Sequence, residues 1–168
     1  MNFFDFLLRK KNFLLGLLLA CIVATLDLAS KSYMFNILNE QALLQHVANV
    51  EIKVTNFFSL VKVWNSGVSF GMFHNLSNSK IIFSVVQLSI ALVLLIWLYC
   101  DQQKYLTWCI GLIAGGAFGN AIDRIKNGAV ADFLDFHIHD YHWPAFNLAD
   151  SCVCVGVAII VFHDLFKR

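Results

Sequence analysis

The stretch IIFSVVQLSIALVLLIWLYC, Ile81–Cys100, runs from end to end without a charged side chain. A helix needs about 20 mostly apolar residues to cross the hydrocarbon core of a bilayer, and this stretch supplies them. Three further segments have the same character: about Phe13–Leu28, about Tyr105–Ile122 and about Ala149–Phe166. The first and third of the four are short, so their polar ends are expected at the interface. The 168 residues amount to one domain's length, 59% hydrophobic and only 14% charged. Soluble domains are nearer half apolar and a quarter charged. The surplus apolar surface therefore points to lipid as the solvent. A net charge of +1 gives no electrostatic case for a nucleic-acid partner. The single proline, Pro144, lies outside every apolar run, so it breaks no span.

Basic residues give the orientation. Arg9, Lys10 and Lys11 precede the first span, Lys104 lies in the tight connection before the third, and Lys167 and Arg168 follow the fourth. An even number of spans brings all of them to one side, the cytoplasm, together with both termini. The other side receives two longer loops, residues 30–80 and 123–148. Within them Val50, Ile52 and Val54 alternate with Glu51, Lys53 and Thr55, a strand-like period. Residues 58–73 and 129–139 are rich in β-branched and aromatic side chains. The expected fold is a membrane all-α core of four transmembrane helices plus a small extracytoplasmic β-sheet, in a single domain, 1–168. Leu18-Leu19-Ala20-Cys21 resembles a lipobox, but the apolar run continues to Leu26, so the first span is expected to be retained. The five cysteines sit in or beside apolar runs with no C-x-x-C pair, and read as small hydrophobic residues.

Ionisable groups in or beside spans are costly and mark candidate sites. Asp27 ends the first span, Asp123 ends the third and Asp150 opens the fourth, all on the outer side. Two of them share a pattern: Asn120-Ala121-Ile122-Asp123 and Asn147-Leu148-Ala149-Asp150 are both N-x-x-D. On a helix that spacing puts Asn and Asp on one face, where the amide can orient the carboxylate. Gly111, Gly115, Gly116 and Gly119 allow the third span to approach its neighbours closely. Two carboxylates held together share a proton, one acting as base and the other as acid, which suits peptide hydrolysis. The plainer reading makes Asp150 a helix cap and Asp123 an ion-pair partner of Arg124. The alternative function is a small ion or proton carrier using the same carboxylates, although a carrier places such groups near mid-bilayer.

His137, His139 and His142 with Asp135 and Asp140 form the one grouping with metal-ligand chemistry. Alternation would set His137 and His139 on one strand face. A wet strand end explains them as well, and no metal is expected. The four tryptophans, Trp64, Trp97, Trp108 and Trp143, read as interfacial anchors or packing.

At the acidic residues the chain resembles the lipoprotein signal peptidase (signal peptidase II) family. Asp27–Lys31, DLASK, is similar to D-Q-x-[TS]-K, with Leu28 at the usual Gln position. Asn65–Gly71, NSGVSFG, is similar to N-x-G-x-[AS]-F-G. Gly115–Arg124, GGAFGNAIDR, followed by Gly128–Phe133, GAVADF, forms a third block, and Phe146–Ser151, FNLADS, a fourth. The resemblance implies a bacterial inner-membrane aspartic endopeptidase without a metal or other cofactor. Such an enzyme cuts the signal peptide from diacylglyceryl-modified prolipoproteins just before the lipidated cysteine. It implies Asp123 and Asp150 as the catalytic pair. Asn120, Asn147, Arg124, Asn65, Gly71 and Asp132 would bind substrate or support the site, and Asp27 with Lys31 would stabilise the fold. The partners implied are the precursor and membrane lipid, with a monomer sufficient. Residues 71–74 are a lid candidate, and the site should open sideways between helices near the outer face.

Overall fold

The structure, a computed structural model, describes residues 10–47, 50–67, 79–100 and 103–166. Its order is α1 (Lys11–Gln45), β1 (Glu51–Thr55), β2 (Phe58–Asn65), α2 (Ser79–Cys100), α3 (Lys104–Asn127), β3 (Val130–Ile138), β4 (Tyr141–His142) and α4 (Leu148–Phe166). Among the described residues, four helices are long and apolar enough to cross a membrane. The expected architecture of four apolar helices and a small antiparallel sheet is therefore present. Gly71, the lid candidate at 71–74, and the basic residues Arg9, Lys167 and Arg168 lie outside the described residues.

α3 packs against α1, α2 and α4 and is largely buried, whereas the other three present mostly exposed apolar surface. Its glycines explain the position. A Cβ on Gly115 would stand 2.6 Å from Val23 Cβ and 2.7 Å from the Ala20 carbonyl oxygen. One on Gly116 would stand 2.5 Å from the Ala149 carbonyl oxygen, on the opposite neighbour. The helices touch through backbone at these points, which only a missing side chain permits. Exposed Ile81, Val85, Ile90, Leu92, Val93 and Ile96 make the outer surface of α2 apolar, as lipid requires.

α1 differs from the expected span. It continues well past Leu28 to Gln45 and closes at His46 in the left-handed conformation, φ 54°. Polar residues such as Asp27, Ser30 and Lys31 end the hydrophobic run but do not break a helix, and no glycine or proline interrupts 28–45. The buried positions Ala20, Val23, Asp27, Lys31, Phe35 and Leu38 form one stripe along its length. The far end of that stripe meets the sheet, where Phe35 and Leu38 pack with Val50, Ala131 and Phe133. The Phe35 and Trp64 rings meet edge to face at 4.9 Å.

The sheet runs β1-β2-β3-β4, antiparallel throughout, with irregularities after Lys53 and between Leu60 and Val63. β2 ends at Asn65, earlier than the composition of 58–73 suggests. β3 ends at Ile138, which leaves His139 in the turn at φ 53° rather than on the strand beside His137. α3 runs on to Asn127, so Asp123 and Arg124 lie within its last turns. Gly128 then reverses the chain at φ 80°, a conformation glycine adopts without steric cost.

Candidate active site

Two helix ends and one strand converge where the helix bundle meets the sheet. Asn147 caps α4: its Oδ1 accepts the Asp150 N–H at 3.0 Å, and Asp150 Oδ2 accepts the Asn147 N–H at 3.2 Å. This reciprocal pair is a capping box, so the second N-x-x-D does act as a cap. It also does more. Phe146 is tied to β3 by backbone bonds with Phe133 and Leu134, which delivers Asn147 to the sheet. Asn147 Nδ2 then donates to Asp132 Oδ1 at 2.7 Å and to Asn120 Oδ1 at 3.1 Å. Asn147 is fully buried.

Asn120 stands at the centre. Its Nδ2 donates to Asp150 Oδ1 at 2.8 Å, and its Oδ1 also accepts from Lys31 Nζ at 2.7 Å. Lys31 Nζ lies 2.7 Å from Asp27 Oδ2 and 3.6 Å from Asp123 Oδ2. Asp123 accepts from the Ala131 N–H at 2.8 Å and from Asn127 Nδ2, one helical turn along. Asp27 Oδ1 accepts the Ala149 N–H at 2.9 Å, fixing the start of α4 against α1. A single buried network thus joins Asp27, Lys31, Asn120, Asp123, Asp132, Asn147 and Asp150. The expectation that the acidic residues gather at one depth holds.

A cleft of about 970 Å³ opens beside this network, lined by Asn65 and Trp64 of β2, Gln87 of α2, Asn120 and Arg124 of α3, Asp132 of β3, and Asp150, Ser151, Val153 and Cys154 of α4. Asp150 and Asp132 line it, whereas Asp123 is not among its lining residues. Arg124 is held by Gln87 Oε1 at 2.7 Å and the Gly67 carbonyl at 3.3 Å, and stacks 5.6 Å from the Phe83 ring. It makes no ion pair with Asp123, contrary to the plainer sequence reading. Its Nε is buried without a hydrogen-bond partner among the described residues.

Asp132 is the perturbed carboxyl outside the spans. Burial, then the nearby Asp150 charge, pushes its pKa up to about 7, while the amides of Asn65 and Asn147 and the Lys31 charge pull the other way. Sequence reasoning missed the part played here by two residues and one segment. Gln87 carried a signal, as an amide in the middle of an apolar span. Asn127 carried one too, four residues from Asp123 on the same helix. Trp143–Phe146 carried none, because a loop's path to the cleft is set by the β3 pairing.

A model of the family described as Signal peptidase (SPase) II matches residues 19–166. A lipoprotein signal peptidase of Anaplasma phagocytophilum (strain HZ) is 37% identical over 155 residues, covering 92% of this chain and 94% of that protein. One of Francisella tularensis subsp. novicida (strain U112) is 40% identical over 167 residues, covering 96% and 97%. Two solved structures described as a bacterial membrane enzyme structure by the in meso method share the fold. The 1.9 Å structure has a TM-score of 0.75 at 28% identity, covering 91% of this chain and 94% of that one. The 2.3 Å structure has a TM-score of 0.71 at 27% identity, covering 89% and 87%. Nothing in these likenesses favours an ion carrier. A match over nearly the whole chain, on helices that gather the same motif carboxylates, shows that the chain belongs to the signal peptidase II family of bacterial membrane peptidases.

Proposed function

We propose that this protein removes the signal peptide from diacylglyceryl-modified prolipoproteins, cutting before the lipidated cysteine, with Asp123 and Asp150 as the catalytic pair. The observation that carries the pairing is Asn120, which touches Asp150 directly and reaches Asp123 through Lys31. A water bound between the carboxylates loses a proton to the ionised one and attacks the scissile carbonyl carbon. The protonated carboxyl gives its proton to the carbonyl oxygen. The resulting diol collapses as the C–N bond breaks and a proton passes to the departing amine. The low-dielectric surroundings strengthen each of these charge interactions.

The cleft suits a precursor anchored in lipid. Gln87, Val153 and Cys154 extend its lining along α2 and α4, a lateral path by which acyl chains remain among lipids. Arg124 lines the cleft and offers guanidinium donors to the precursor backbone, and Asn65 and Asp132 brace the cleft wall. Gly71 belongs to the same motif as Asn65 and completes the reading from sequence alone. Asp27 and Lys31 act on the fold, pinning α1 to the start of α4. In this reading both termini lie in the cytoplasm and the cleft at the outer face, which four spans and the basic residues at Arg9–Lys11, Lys104 and Lys167–Arg168 support. A monomer holds every group named.

Replacement of a bacterium's own enzyme by this chain tests the reading. The wild-type chain should restore mature lipoprotein, while Asp123→Asn and Asp150→Asn should let uncleaved, lipid-modified precursor accumulate. Normal processing by either variant at equal expression would remove that residue from the pair.

A further inference from the structure

Away from the cleft, the outer hairpin gathers a second set of groups. Asp135 and His137 lie two residues apart on β3, so their side chains leave the same face. His142 on β4 is the cross-strand partner of His137. The two imidazoles stack with centroids 4.8 Å apart and planes within 20°. Asp135 Oδ2 lies 2.7 Å from His142 Nδ1 and 3.9 Å from His137 Nδ1. One ligating atom from each residue falls within 4.8 Å of the other two. The side chains of Asp135 and His137 are only 7% and 10% exposed, while that of His142 is 48% exposed. Two donors are therefore walled in and the third opens to solvent. His137 Nδ1 is buried with no hydrogen-bond partner among the described residues. Leaving such a group unpaired costs about 1–3 kcal/mol. The Asp135–His142 hydrogen bond accounts for the short contact, but it does nothing for that nitrogen.

The geometry points to a binding site at Asp135, His137 and His142 for a divalent transition-metal cation of the Zn²⁺ class, separate from the Asp123 and Asp150 network. This departs from the expectation of no metal, and it keeps Asp135, His137 and His142 of the grouping drawn from sequence while leaving out His139 and Asp140. Two imidazole nitrogens and one carboxylate oxygen are a donor set such ions take, with a fourth position left for water. Mg²⁺ and Ca²⁺ favour oxygen donors throughout. Ligands about 2.0–2.1 Å from a tetrahedral ion stand about 3.4 Å from one another. The contacts at 2.7 and 3.9 Å bracket that spacing, all three ligating atoms lie within 4.8 Å, and binding would turn the stacked imidazoles so that both ring planes meet the ion. Glu51 adds negative charge nearby. Its carboxylate accepts the Ser59 hydroxyl at 2.6 Å, and Ser59 pairs with Asp135 across β2 and β3.

The ion's role is architectural. β4 is two residues long and pairs with β3 through His137–His142 and Ile138–Tyr141, and the Trp143 N–H adds a bond to the Phe136 carbonyl at 2.8 Å. The chain passes from it through Trp143–Phe146 to Asn147, the cap of α4. A cation bridging β3 and β4 would fix the start of that segment.

The test uses the full chain without a histidine tag, purified in detergent micelles, stripped with EDTA and titrated with Zn²⁺ against a chromophoric chelator. Thermal unfolding is followed in parallel. The wild type should bind about one equivalent and melt at a higher temperature when loaded. His142→Ala, at a half-exposed position that leaves the core intact, should weaken binding more than about 10-fold and abolish the rise in Tm. His139→Ala should keep both, and Mg²⁺ should neither compete nor raise Tm. Absence of stoichiometric binding by the wild type would overturn the proposal, as would undiminished binding by both His142→Ala and Asp135→Asn. The readout is binding, so its failure leaves the peptidase reading untouched.

Discussion

Asn120 shows what a single residue does in this molecule. Its amide nitrogen holds Asp150, and its oxygen gathers Lys31 and Asn147, so one side chain orders two helix ends and a buried cation. Removing it strands at least one buried donor, a loss of about 1–3 kcal/mol. Asp132 allows a sharper prediction. With its pKa raised from 3.8 to about 7, the folded protein holds a proton between those limits that the unfolded chain has released. Stability is therefore full below about pH 4, falls as pH rises, and the loss is complete above about pH 7. Asp132→Asn removes this titration. Its Tm should fall less steeply than the wild type's between pH 4 and 7, and identical slopes would refute the assignment. The N-x-x-D repeat made Asn120 and Asn147 legible in the sequence. The central place of Lys31 was not, because two of its three partners, Asn120 and Asp123, lie on α3, far along the chain.

At the scale of elements, α3 owes its position to absent side chains. Gly115→Ala and Gly116→Ala each drive a Cβ into neighbouring backbone, at Ala20 and Ala149 respectively. Each should destabilise the protein by about 1–3 kcal/mol, read from denaturant unfolding in micelles. Unchanged unfolding would mean that these helices do not meet as described. The close approach was readable from the glycine spacing, and so were the strands, from the alternation at Val50–Thr55. The length of α1 was not. Hydropathy reports where lipid ends, whereas a helix ends where its backbone bonding ends, and α1 continues through Lys31 and Phe35 to support the sheet. β4 escaped for a related reason: two residues carry no periodicity.

For the whole molecule, an even number of spans links topology to function. The basic residue Lys10 donates to the Tyr99 carbonyl at 2.9 Å, which brings the start of α1 beside the end of α2. The acidic network lies at the opposite ends of the helices. A reporter enzyme active only in the cytoplasm should therefore function when fused to the C-terminus, and silence there would reverse the orientation. The central claim is that Asp123 and Asp150 act together as acid and base on a lipid-anchored precursor. It is tested most directly by cleavage of a purified diacylglyceryl-prolipoprotein in lipid bilayers, by the wild type and by each Asp→Asn variant, with melting curves confirming that each variant is folded. The account predicts rapid cleavage by the wild type and a fall of at least about 10²- to 10⁴-fold in both variants. Cleavage near the wild-type rate by folded Asp123→Asn or Asp150→Asn would contradict it.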